Sequence, residues 1–184
     1  MKRPLLAAAH AGRATPHAVL LALAASLGLM GLQPPPASAQ QATTHTVKLL
    51  TPETALKASQ AALAHCRQAG HQVAVAVVDR AGVLQVLLRD RFAGAHTVEV
   101  AMRKAWTAAS FRIPTTDLAA ESQAGRPMSG IRAASQVMVI GGGLPIEAGG
   151  STFGGIGVSG APGGDADDAC AVAGLQAISE AIEF

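Results

Sequence analysis

Gln72-Val73-Ala74-Val75-Ala76-Val77-Val78-Asp79-Arg80-Ala81-Gly82-Val83-Leu84-Gln85-Val86-Leu87-Leu88-Arg89 holds two β-prone runs with a turn between them. Asp79-Arg80-Ala81-Gly82 matches a type I turn, with Asp first and Gly last. Val73, Val75 and Val77 alternate with Ala74, Ala76 and Val78, and all six are apolar. A strand apolar on both faces is expected to be covered on both faces.

Upstream, Thr51 can cap a helix, Pro52 suits its first position and Glu53 sits well at the positive end of the dipole. Leu56, Ala62, Leu63 and Cys66 are expected to face inward, and Gly70 to end the helix. Downstream, a helix is expected from about Ala95 to Ser110, ended by Ile113-Pro114. A short helix follows from Thr115 through Gln123, then a loop over Gly125–Gly130. Val137–Ile140 reads as a short strand and Phe153–Ser159 as a glycine-rich one. Asp165, Asp167 and Asp168 are good helix-start residues, and a final alanine-rich helix runs to about Ile182. Hairpins dominate over strand–helix–strand crossovers. That order predicts an α/β (α+β) domain, with a mostly antiparallel sheet flanked by helices.

The first forty residues read differently. Lys2, Arg3 and Arg13 precede an uncharged, mostly apolar run from Ala18 to Leu32. A proline break and Ala37-Ser38-Ala39 follow, which is the pattern of a signal peptide cleaved after Ala39. The expected organisation is therefore a signal peptide over 1–39, a tail over 40–50 and one domain over 51–184. The run is short for a membrane span, which needs roughly 20 apolar residues. Export to the periplasm or beyond is expected, with no span in the mature form. The 14 Lys and Arg against 12 Asp and Glu become 11 against 12 once Lys2, Arg3 and Arg13 leave, a net charge of −1. Such a near-neutral, aromatic-poor chain carries no footprint for nucleic acid or an anionic membrane. Cys66 and Cys170 allow a disulfide in an oxidising compartment. Two small buried hydrophobes are the favoured reading, because both lie in helices far apart in sequence.

Chemistry concentrates in two places. On the helix after the hairpin, His96, Val100, Arg103 and Thr107 fall on one stripe. His96 lies in the first turn, where the dipole disfavours protonation, and neutral imidazole is the ligating form. Arg103 lies roughly 10 Å along the axis at 1.5 Å per residue, about the reach from a haem iron to its propionates. One face thus offers an iron ligand and a carboxylate clamp. The bland alternative makes His96 a solvated residue, Arg103 and Lys104 a wet face and Trp106 a core anchor. The second place is Gly141–Gly164, with eleven glycines. Here a loop contacting an anion or cofactor competes with glycines that serve turns and close strand–helix packing. Gly155, Gly157 and Gly160 match the letters of a dinucleotide fingerprint, but Pro162 follows where a helix should be running. No zinc spacing, phosphate loop or hydrolase nucleophile elbow is present.

Val75-Ala76-Val77-Val78-Asp79 with Gly82, Lys104-Ala105-Trp106-Thr107-Ala108, Gly142-Gly143-Leu144-Pro145-Ile146, Gly155-Ile156-Gly157-Val158-Ser159-Gly160 and Asp167-Asp168-Ala169 together resemble the GlcG/HbpS family. The carboxy-terminal domain of PduO-type proteins is similar. The likeness covers about Thr51 to Ile182. It implies a sheet of about five strands, a homo-oligomer, often an octamer, and binding of haem or iron. The leading expectation is an exported haem-binding protein for capture, buffering or sensing, with an enzymatic role less favoured. His96 is the expected axial ligand, with His65 in reserve. Arg103 or Lys104 would meet a propionate, and Thr107 would line the pocket. A small-molecule or organic-acid-binding accessory protein or minor enzyme, using the glycine-rich stretch as an anion pocket, is the alternative. A purely structural oligomer is a third.

Overall fold

The computed structural model describes residues 43–183, and the signal-peptide expectation for 1–39 lies outside them. The elements run α1 (Pro52–Gln68), β1 (Ala74–Asp79), β2 (Leu84–Arg89), α2 (His96–Phe111), α3 (Thr115–Glu121), a 3₁₀ turn (Ser129–Ala133), β3 (Gly143–Ala148), β4 (Ser151–Ser159), α4 (Gly164–Gln176) and α5 (Ser179–Ile182). One sheet has the order β2-β1-β4-β3, and every pairing in it is antiparallel. The fold class is as expected, with four strands rather than about five.

β1 is buried on both faces, as its alternation predicts. Val73, Val75 and Val77 join Ala58, Ala62, Ile156, Val158 and Ala171 in a core beneath α1 and α4. Ala74, Ala76 and Val78 pack on the other face against Ala101, Ala105 and Ala109 of α2. The sheet is thus the middle of three layers. The second interface is thin because its side chains are small. A Cβ at Gly157 would lie 2.1 Å from the Ala101 carbonyl oxygen, and one at Gly155 2.4 Å from that of Ala105. These two glycines let α2 lie directly on β4, so the packing role competes successfully with a ligand role there.

The β1–β2 turn closes as expected: the Gly82 N–H donates to the Asp79 carbonyl at 2.9 Å, and Asp79 Oδ1 accepts from the N–H groups of Ala81 and Val83. Thr51 caps α1, accepting from the Thr54 N–H at 3.2 Å. Three expectations need correction. Leu56 is an exposed side chain, and the inward stripe of α1 is made by Ala55, Ala58, Ser59, Ala62, Leu63 and Cys66. Small side chains win because α1 sits close to α4: a Cβ at Gly174 would meet the Ala58 carbonyl oxygen at 2.8 Å. Val137–Ile140 forms no strand; the strand begins later, at Gly143. Side chains of α2 take the backbone of 136–138, while Pro145 is tolerated in β3 because β3 is an edge. Finally, Cys66 and Cys170 form a disulfide between α1 and α4, with their Cα atoms 5.5 Å apart. Residues 43–50 form no regular element, although Leu50 is buried and its carbonyl accepts from Gln85 Nε2. Among the described residues no helix is long and apolar enough to cross a membrane.

Candidate functional site

A cleft of about 610 Å³ opens where the end of α1, the start of α2 and the start of α4 meet. That size lies within the roughly 300–1,000 Å³ of ordinary ligand and cofactor pockets. Its walls include His71, Gln72, Phe92, His96, Lys104, Ile140 and the loop from Ser159 to Gly164.

The first wall follows from how α1 ends. Gly70 takes a positive φ of 82°, its N–H donates to the Arg67 carbonyl, and the His71 N–H donates back to the Cys66 carbonyl at 2.8 Å. This is a Schellman closure, and it turns the chain so that His71 and Gln72 enter the cleft. Gln72 Oε1 is buried there with no hydrogen-bond partner.

The second wall is the β2–α2 connection. Asp90 is buried, and Arg67 donates to both its oxygens at 2.7 and 2.9 Å. The Arg67 guanidinium holds the Asp90 carboxyl below the usual range, against the opposing effect of burial. The Arg89 side chain donates to the Ala93 carbonyl, and Thr97 Oγ1 to that of Gly94 at 2.7 Å. His96 opens α2 and its ring folds back over Gly94, where a Cβ would lie 2.7 Å from the ring carbon Cε1. Phe92 projects at the rim, 79% exposed, and Ile140 adds a second exposed apolar side chain.

The third wall is the loop before α4. Asp167 Oδ2 accepts from Lys104 Nζ at 2.7 Å, and Oδ1 from the Ala161 N–H at 3.0 Å. Lys104 also donates to the Val158 carbonyl at 2.8 Å. Burial pushes the Asp167 carboxyl upward, and the Lys104 ammonium pulls it partly back. Its neighbour Asp168 accepts from the Gly142 N–H and the Thr116 hydroxyl. The two aspartates therefore do more than start a helix: they bind α4 to α2, α3 and the strand that follows Gly142.

The structure brings together only part of the stripe read along α2. His96 and Lys104 line the cleft, but Arg103 and Thr107 do not. Arg103 donates to the carbonyls of Gln136 and Val137, at 3.4 and 3.0 Å, and reaches Glu99 at 3.5 Å. Thr107 is buried and its hydroxyl accepts from the Met138 N–H at 2.9 Å. Lys104 is neither wet nor free, since an internal carboxylate neutralises it. His65 is exposed and is not among the cleft-lining residues, so His71 is the second histidine of the site. Its signal was present in the sequence: a histidine directly after a helix-ending glycine is placed by the closure itself. Gly160, Gly163 and Gly164 line the cleft, whereas Gly155 and Gly157 serve packing. Among the described residues no group of three or more His, Cys, Asp or Glu side chains could hold a metal ion.

A family model described as "Haem degrading protein HbpS-like" matches residues 50–176. A crystal structure of an HbpS double mutant from Streptomyces reticuli is similar at a TM-score of 0.69 and 39% identity, over 77% of this chain and 94% of that one. The Klebsiella pneumoniae protein ORFY is similar at a TM-score of 0.72 and 25% identity, over 74% of this chain and 95% of that one. The PduOC:heme complex is similar at a TM-score of 0.68 and 28% identity, over 71% of this chain and 96% of that one.

Proposed function

We propose that this chain, which belongs to the HbpS-like family, binds haem in the cleft between α1, α2 and α4. One observation carries the reading: two imidazoles, His71 and His96, share a single cleft with the exposed apolar side chains of Phe92 and Ile140. The chemistry of that set fits the group. Imidazole nitrogen is the common protein ligand of haem iron, and apolar side chains suit a flat macrocycle. Bound haem would supply an iron centre that takes imidazole nitrogen as a ligand, for which His96 and His71 are the residues at hand.

His96 is the first candidate ligand and His71 the second. Lys104 contributes a cation at the floor that is already balanced by Asp167, so its part is to hold the wall as much as to meet a propionate. Arg103 and Thr107 support the site from outside by fixing residues 136–138. The kinship with a protein solved as a haem complex supports the reading. The role is capture, buffering or sensing outside the cytoplasm. The Cys66–Cys170 disulfide supports export, because such bonds persist in oxidising compartments. Self-assembly into a homo-oligomer is part of the same proposal.

Titration with hemin tests it. A shifted Soret band with saturable binding is the expected result, and His96→Ala should weaken binding at least tenfold. A wild-type protein with no spectral change refutes the haem reading. A response to small carboxylates alone, in a thermal-shift panel, would put an organic acid in its place. Mass measurement of the exported protein tests cleavage after Ala39, and light scattering tests assembly.

A further inference from the structure

We infer that the Arg67–Asp90 ion pair is a positioning device, which holds the two histidine-bearing walls of the cleft at a fixed separation. The inference rests on the proposed use of that cleft and adds two residues that touch no ligand.

Arg67 and Asp90 belong to different walls. Arg67 lies in the last turn of α1, four residues before His71, and its own carbonyl accepts from the Gly70 N–H within the closure that aims His71. Asp90 opens the connection that carries Phe92, Gly94 and His96. Its backbone is tied at two points, with its N–H donating to the Val73 carbonyl at 2.9 Å and its carbonyl accepting from the Ala93 N–H at 3.1 Å, and its side-chain Oδ1 accepts from the Arg91 N–H at 2.8 Å. The carboxylate is 1% exposed, whereas the guanidinium is 50% exposed. A two-point arginine–carboxylate contact fixes direction as well as distance, which a single lysine contact does not. The His96 ring lies over Gly94 of the same loop, where a Cβ would meet it at 2.7 Å. The chain thus runs from the end of α1 through Arg67 and Asp90 to the loop beneath His96, while His71 leaves the same helix end directly.

Asp90→Asn and Arg67→Lys test the inference with three readouts: imidazole resonances of His71 and His96 in the haem-free protein, hemin affinity with Soret position, and melting temperature. Both variants should move both imidazole resonances, weaken hemin about tenfold and displace the Soret maximum. Arg67→Lys keeps a cation but loses the two-point contact, and it carries the test if Asp90→Asn does not fold. Unmoved resonances in a folded variant overturn the inference, even if its melting temperature falls. If wild type ignores hemin, the haem reading fails alone; the clamp then stands or falls on the imidazole resonances.

Discussion

Lys104 Nζ lies 2.7 Å from Asp167 Oδ2, with both side chains almost wholly buried although 63 residues separate them in the chain. The pair joins the helix under one face of the sheet to the start of the helix over the other. A buried pair contributes little net stability, but breaking it on one side is expensive.

Lys104→Met should therefore destabilise the fold by roughly 3–5 kcal/mol, because it leaves Asp167 and the Val158 carbonyl without their donor. Lys104→Met combined with Asp167→Leu should recover much of that loss. Urea unfolding of the single and double variants checks both; a double variant no better than the single would show that Asp167 matters for its Ala161 contact instead.

Two carboxyls should shape stability against pH in opposite directions. Asp90 titrates below its unfolded value, so the unfolded chain binds the extra proton as pH falls; stability present above about pH 3.9 is lost as pH drops through the folded value. Asp167 titrates above its unfolded value, so the folded chain holds the proton longer, and stability declines as pH rises through its folded value. Unfolding free energies measured between about pH 2 and pH 7 should lose the first slope in Asp90→Asn and the second in Asp167→Asn.

Reduction of the Cys66–Cys170 bond should lower stability by roughly 2–5 kcal/mol, since a bridge across 104 residues closes a long loop. Melting in the presence and absence of a phosphine reductant measures it, and the Cys66→Ala, Cys170→Ala protein should be indifferent to reductant. Equal melting of wild type under both conditions would count against the bond.

Gly157→Ala should be severe and Gly149→Ala mild. At position 157 the new Cβ would stand 2.1 Å from the Ala101 carbonyl oxygen, so α2 must lift from the sheet. At 149 the space is open and only the positive φ of 54° is unfavourable, at about 1 kcal/mol. The ratio of the two losses, read from chemical denaturation, tests whether close packing explains the glycines of β4.

Much of the fold is legible in the chain. Thr51, Gly70 and the Asp79–Gly82 turn act through neighbours within five residues, and all perform as their local chemistry dictates. The two-sided apolar run of β1 states its own burial. Sequence and structure part company where a distant partner decides. Leu56 is a better hydrophobe than Ala58, but only a small side chain fits where α1 meets α4, so the larger one stays outside. Val137–Ile140 has strand composition, but Arg103 and Thr107 claim the backbone of 136–138.

For the site, the sequence by itself placed His96 at the head of α2. Only the tertiary structure decided that Arg103 turns outward, that Lys104 is neutralised by Asp167, that Cys66 meets Cys170 and that His71 faces the same cleft as His96. The reason is physical. Periodicity and capping express forces that act over one or two turns of chain. Ion pairs, disulfides and clefts join segments brought together only when the three layers close, and nothing in residue spacing names the partner across them.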